Sequence, residues 1–387
     1  MRVRRRAAAI AFAGLVLLGL PTGMLGVAWP SMRGSLDAPV AGLGLLVAAI
    51  TVAQFVASGA SGLLRERLGT VALLLAAVAA AAAGLATFAA ATGWWATILA
   101  AGLLGAGVGL LDAAVNTEAA LRGDVRFMGA LHGAWAVGAS LGPPLVGAAL
   151  ATSGSWRAAY VVAGLAFALL GCAAFATRSD LAAAPERETD APESASLRRA
   201  VAIGCVLMFV YVGIELGAGQ WSYTRFTTTA AIDDATAGFA VFLFWLALAA
   251  GRVLLAVFGD RVAAARLFDW SVFGALAGTL AFWILPPALA ALIALPAIGA
   301  TLSVFVPLLI YLLPSRIGSA AAPRAIGYLV AAGMVGGAVL PGVIGLVMQT
   351  FDVSALGACL SLLALVQAGL HLFSTGRVRV LAPARSS

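Results

Sequence analysis

Hydrophobic positions in this chain fall into long continuous runs separated by short polar breaks. The first six runs lie at about 7–29, 41–63, 70–91, 94–120, 128–150 and 157–176. Six more follow at about 200–224, 236–258, 267–285, 288–313, 323–348 and 354–374. Each is long enough to cross a bilayer core as a helix, which takes about 20 apolar residues. A transmembrane barrel would instead alternate apolar and polar residues over about ten positions. The pattern predicts an all-α polytopic membrane protein of twelve transmembrane helices. Between the sixth and seventh runs, Arg178 to Arg199 carries two prolines and nine charges and reads as a linker.

The linker divides the chain into an N-terminal six-helix bundle (1–177), a cytoplasmic linker (178–199), a C-terminal six-helix bundle (200–375) and a tail (376–387). Weak internal repetition supports two pseudo-symmetric halves. Glu66-Arg67 after run 2 and Asp260-Arg261 after run 8 lie 194 residues apart, half the chain. Trp29 and Trp221 each follow a Gly-rich stretch and lie 192 residues apart. Such repeats are common in secondary transporters.

Composition sharpens this reading. Of 387 residues, 63% are hydrophobic and 10% charged, which leaves no material for a separate soluble catalytic domain. The net charge of +7 is spread over short loops rather than gathered on one basic face, so nucleic acid is not expected as a partner. All 23 basic residues are Arg, and nineteen of them fall in segments that are internal if the N-terminus is cytoplasmic. Only Arg33, Arg157 and Arg225 fall outside, which predicts cytoplasmic termini in a plasma membrane, bacterial inner membrane included. Trp29, Trp94, Trp95, Trp156 and Trp221 lie near predicted outer ends, the depth that indole rings prefer. Arg2 to Arg6 before the first run imitates a secretory leader, but the run is long and lacks a small-x-small site, so it reads as an uncleaved helix. Cys172, Cys205 and Cys359 sit singly inside apolar runs, as small hydrophobes do.

An ionisable residue inside a membrane helix costs about 2.5–3.5 kcal/mol on insertion scales and so calls for a reason. Four stand out: Asp112 and Glu118 in run 4, Glu215 in run 7 and Arg252 in run 8. Glu118 lies one turn from Arg122 and reads as interfacial. Asp112 and Asn116 share one helix face at i and i+4, behind the glycines of Gly105-Ala-Gly-Val-Gly109. Those glycines suit close helix packing, since no strand precedes them to make a dinucleotide cradle. His132 in run 5 falls within about 6 Å of the depth of Asp112, counted from the turn at Gly123-Asp124. Run 7 offers Glu215, Gln220 and Trp221 on a stretch made bendable by Gly213, Gly217 and Gly219. Glu215 reads either as a proton or solute site or as the partner of a buried cation such as Arg252.

The arrangement resembles the major facilitator superfamily over essentially the whole chain. Gly62-Leu-Leu-Arg-Glu66-Arg67-Leu-Gly69 is similar to the family's loop motif between helices 2 and 3, with Gly259-Asp260-Arg261 as a weaker second copy. The resemblance implies a conformational gate at Gly62, Glu66, Arg67, Gly69, Asp260 and Arg261. An acid at a helix start would complement the dipole there. The family's trailing basic pair is missing, as Thr70 and Val71 follow Gly69. Within the superfamily, Gly-x-Gly-x-x-Asp112-x-x-x-Asn116, Leu131-His132-Gly133 and Glu215 with Trp221 resemble the fucose permease-like sugar and proton symporters. That implies proton coupling at Asp112 and Glu215, with Asn116, His132, Trp135, Gln220 and Trp221 contacting the solute.

The expected protein is therefore a transporter of a small, sugar-like solute driven by protons. It is expected to sit among membrane lipids as a monomer without cofactor or enzyme chemistry. The two histidines, His132 and His371, argue against metal catalysis. A drug or metabolite exporter is the competing reading, because Gly129, Gly138, Gly142-Pro143 and Gly147 match the antiporter spacing apart from Val146. A non-transporting membrane sensor is the reading from another class.

Overall fold

The computed structural model describes residues 2–122, 125–178, 195–229, 232–258, 261–317 and 322–381. Among the described residues it has twelve helices long and apolar enough to cross a membrane. They are α1 (Arg2–Leu36), α2 (Gly42–Leu68), α3 (Thr70–Ala90), α4 (Trp94–Arg122), α5 (Val125–Ser153) and α6 (Trp156–Ala176). The second half holds α7 (Ala195–Thr228), α8 (Asp234–Phe258), α9 (Ala264–Ile284), a discontinuous α10 (287–317), α11 (Ala322–Thr350) and α12 (Leu356–Leu381). Helices satisfy every interior backbone group within one segment, which is what lipid demands of a chain that crosses it.

Several helices outrun their apolar cores. α1 continues seven residues beyond the predicted end at 29, and α7 extends from Ala195 to Thr228 instead of 200–224. The structure adds the surroundings of the indoles. Trp29 and Trp221 are fully enclosed and Trp156 nearly so, whereas Trp95 is 80% exposed. Trp29 packs against Gly42 and Trp94, and Trp221 against Gly345, so both rings face neighbouring helices.

The tenth span has the clearest departure from one continuous helix. It runs through a turn at Pro287–Leu289, a π turn at Ala290–Ala294, a helix Leu295–Leu302 and a second helix Phe305–Ile317. Two prolines account for both irregularities. Pro307 has no N–H to give Ser303 and its ring crowds that carbonyl, so the helix breaks at Ser303 and Val304. Pro296 does the same toward Leu292, inside the π turn.

Each half packs through small residues, as expected where lipid offers no hydrophobic drive to bring helices together. A Cβ at Gly105 or Gly109 would collide with the Ile50 and Gln54 carbonyls of α2, and one at Gly107 with the α3 backbone. Gly138 and Gly142 seat α5 on α1 in the same manner. The halves meet where α5 packs on α8, α2 on α11, and α1 on α7.

Only Gly69 separates α2 from α3, with φ 80° and ψ 160° and its N–H donating to the Arg65 carbonyl at 2.8 Å. That backbone region is almost confined to glycine, at about 1–3 kcal/mol for other residues. Gly69→Val is expected to lower stability by about that amount, because no described residue lies within reach of the added side chain's Cβ and the backbone carries the strain. Thermal unfolding of the purified protein reads the loss, and an unchanged midpoint would mean that the link is soft enough to adopt another path.

Candidate functional site

The N-terminus marks one end of the bundle, called inner here after the Arg distribution, and the end of α1 marks the other, called outer. At the outer end the halves are locked together. A Cβ at Gly26 of α1 would lie 2.5 Å from the Gln220 carbonyl oxygen of α7, and one at Gly44 of α2 would collide with Gly342 of α11. Two amides bridge the same contact. Gln220 Nε2 donates to the Thr22 carbonyl at 2.8 Å, and the Ala41 N–H donates to Gln349 Oε1 at 3.0 Å. Toward the inner end, a Cβ added at Gly59 or Gly62 of α2, or at Gly327 of α11, would meet nothing within 4 Å among the described residues. The same two helices thus touch at one end and leave their glycines open at the other.

Beneath the outer contact lies a cluster of charged and aromatic side chains. Arg252 of α8 and Glu215 of α7 face each other at 3.9 Å, with side chains 9% and 7% exposed. Arg252 Nη2 also donates to the Tyr211 hydroxyl at 3.4 Å. The guanidinium lies 5.6 Å from the ring of Trp135, which belongs to α5 and so to the other half. Trp135 meets Trp245 of α8 edge-on at 5.7 Å. Tyr211 stacks on Phe305 at 4.8 Å, the first residue past the break in α10. Isolated ions would not survive at this burial; a carboxylate, a phenol and an indole face together reduce the cost of holding Arg252 there.

The residues singled out by sequence are thus partly gathered. Glu215, Trp135 and Gln220 lie at the junction of the halves, and Glu215 takes the partner that sequence had offered as its alternative. Gln220 is 2% exposed, and its Oε1 has no partner among the described residues. Trp221 is wholly buried and donates through Nε1 to the Pro341 carbonyl at 3.0 Å, with its ring against Gly345. Asp112 is partly exposed on α4, and shares the α2-facing side with Gly105 and Gly109. Asn116 and His132 fall on α4 and α5, but their side chains lie outside the described residues.

In the gate motif, Gly62, Glu66 and Arg67 are exposed and Gly69 forms the link between helices. Here the structure corrects the electrostatic argument. Glu66 occupies the last turn of α2, not the start of α3, so it lies at the negative end of the dipole, where Arg65 and Arg67 are the favourable charges. The one-residue link leaves no room for the loop that sequence had placed there. Arg261 is exposed and lies 4.6 Å from the Phe258 ring, while Asp260 lies outside the described residues.

Sequence reading passed over Tyr211, Trp245 and Gln349, none of which is ionised or carries a motif. It also missed Asp269, an acid within run 9. Asp269 Oδ1 lies 2.6 Å from His371 Nε2 of α12, and Phe268 and Phe273 flank the imidazole at 5.2 and 6.1 Å. Counting ionisable residues inside every predicted run would have found both partners. Among the described residues, no group of three or more His, Cys, Asp and Glu could hold a metal.

No curated protein matches the sequence. Among solved structures, a D-xylose-proton symporter shares 16% identity over 94% of this chain and 96% of its own, with a TM-score of 0.73. The Escherichia coli fucose:proton symporter FucP shares 15% identity over 95% and 98%, with a TM-score of 0.64. The human organic anion transporter MFSD10 shares 20% identity over 95% and 99%, with a TM-score of 0.68. Identities this low establish the common fold and leave the solute to the site itself. The model of the Major Facilitator Superfamily matches residues 11–341. Twelve membrane helices in two facing halves, the shared architecture and this match lead to one conclusion: the chain belongs to the major facilitator superfamily.

Proposed function

We propose that this protein is a proton-coupled secondary transporter of a small polar solute, sugar-like in size and hydroxyl content, working by alternating access. The observation that carries the reading is the contrast between the two ends of the α2 and α11 pair, closed at Gly44 and Gly342 and open at Gly59, Gly62 and Gly327. A cross-half helix pair closed at one end and open at the other is the geometry from which rocking about a central site proceeds.

In this reading the conformation is inward-facing, both termini are cytoplasmic, and the membrane is the plasma membrane, the inner one in a bacterium. The protein acts as a monomer, with the domain divisions expected from sequence and no enzyme activity. Asp112 and Glu215 load and release protons. Trp135 and Gln220, one from each half, contact the solute together with Asn116, His132 and Trp221. The motif from Gly62 to Gly69 and its second copy at Asp260 and Arg261 bias the inner gate. The competing exporter reading loses support at Gly138 and Gly142, since helix packing accounts for both.

One proton moving through 100 mV supplies about 2.3 kcal/mol, enough for roughly a fifty-fold solute gradient. Proton flux in proteoliposomes, measured while monosaccharides, polyols and cationic drugs are added in turn, tests the proposal. Alkalinisation outside on adding a sugar supports symport, and movement only with drugs would replace this reading with export. Asp112→Asn is expected to abolish proton-driven accumulation while sparing solute exchange. Full accumulation by that variant would remove Asp112 from the coupling.

A further inference from the structure

On the outer half of the N-terminal bundle, away from the junction of the halves, α3 and α6 leave a groove of about 640 Å³ between them. Its walls follow from helical spacing. Ala82, Ala86, Ala89 and Ala90 form one stripe of α3, and Tyr160, Gly164 and Ala168 recur every four residues along α6. Small side chains on both helices hold the groove open without parting the helix backbones.

Three levels along this groove differ in chemistry. At the outer rim, Arg157 is fixed by a 2.8 Å bond from Nη2 to the Ala91 carbonyl and lies 4.5 Å from the Trp156 ring, leaving further guanidinium donors beside the groove. One turn deeper, about 6 Å along the helix from Trp156, Tyr160 lines the groove. Its side chain is 1% exposed and its hydroxyl has no partner among the described residues. Such a hydroxyl costs about 1–3 kcal/mol when left unsatisfied, so an acceptor arriving there is favoured. Below it the walls are purely apolar. A cation, then a lone donor, then an apolar channel match the order of groups in a membrane phospholipid: phosphate, ester carbonyl and acyl chain.

We infer that the α3–α6 groove is a binding site for one phospholipid of the outer leaflet, with its phosphate on Arg157, an ester carbonyl accepting from the Tyr160 hydroxyl, and an acyl chain against Ala82, Ala86 and Gly164. The site is separate from the transport cluster, so it stands whether or not the transport proposal does.

The test is native mass spectrometry of the full chain released from nanodiscs of phosphatidylglycerol diluted in a large excess of phosphatidylcholine. One tightly retained phospholipid is expected in the wild type, with phosphatidylglycerol enriched at least fivefold over its share. Ala86→Leu fills the groove on an exposed face and is expected to abolish retention, while Tyr160→Phe weakens it about fivefold. Arg157→Gln is expected to remove the preference for phosphatidylglycerol. Gly164→Leu provides a second filling variant from the opposite wall should Ala86→Leu be poorly folded. No retained lipid in the wild type, or equal retention by both filled variants, would overturn the site. Equal retention by Tyr160→Phe and Arg157→Gln would overturn the assigned contacts.

Discussion

Arg252→Met is expected to destabilise the protein by about 3–5 kcal/mol, because it leaves the buried Glu215 carboxylate with the Tyr211 hydroxyl but without its guanidinium partner. A double variant, Arg252→Met with Glu215→Gln, replaces the ion pair by neutral groups of similar size. It is expected to recover most of the stability, since buried pairs contribute little net against well-packed neutral replacements. Transport is not expected to return with it. If Glu215 carries a proton and shares Arg252 with Tyr211 and Trp135, the neutral pair folds but has nothing to titrate and no cation to release. Thermal unfolding of both variants, read beside solute accumulation, separates the two roles. A double variant that transports like the wild type would make the pair structural only, and an Arg252→Met protein as stable as the wild type would remove it from the core.

Gly26→Leu is expected to hold the outer end apart and to stop transport while leaving each half folded. A Cβ there meets the Gln220 backbone at 2.5 and 2.8 Å, and a main chain cannot yield as a flexible side-chain tip can. The contact spans the two halves, so separating them relieves the clash at no cost within either bundle. Gly44→Leu acts at the second outer contact, against Gly342, and should behave alike. Spin labels on cysteines replacing Gly34 and Thr229, with the three native cysteines changed to Ala, report the outer opening. Longer label distances with transport reduced at least a hundredfold are expected. Unchanged distances and normal transport would show that outer closure tolerates a large side chain and is not part of the cycle.

Both results depend on features that were unequally visible in the sequence. Continuous apolar runs gave the helix count, because a bilayer permits few alternatives for a segment of that length. Ends were less legible. Hydropathy marks where lipid stops, whereas α1 and α7 continue as helices past that point; the burial of Trp29 and Trp221 comes from Gly42, Trp94 and Gly345 on other helices. Glu66 shows the same limit: a polar Arg-Glu-Arg segment reads as a loop, but Gly69 supplies the whole turn and leaves those charges on the last turn of α2. The break in α10 was encoded in Pro296 and Pro307, yet a proline in a membrane helix forecasts a kink no better than a break until its neighbours are known.

For the site, sequence could identify the ionisable residues whose burial needs a reason. Glu215, Arg252 and Asp112 stood out on cost alone. It could not choose between a free carboxylate and a paired one, nor find Tyr211 and Trp245, whose types are ordinary in a membrane helix. Asp269 and His371 are 102 positions apart and meet only because α9 packs on α12.

The sequence by itself determined a membrane protein of twelve helices in two related halves, because solvent exclusion acts on each segment separately. Tertiary structure alone decided which helices join the halves, which end is closed, and which charges become partners. Those depend on small residues meeting across helices distant in sequence, where the gap between contact and open space is a single Cβ.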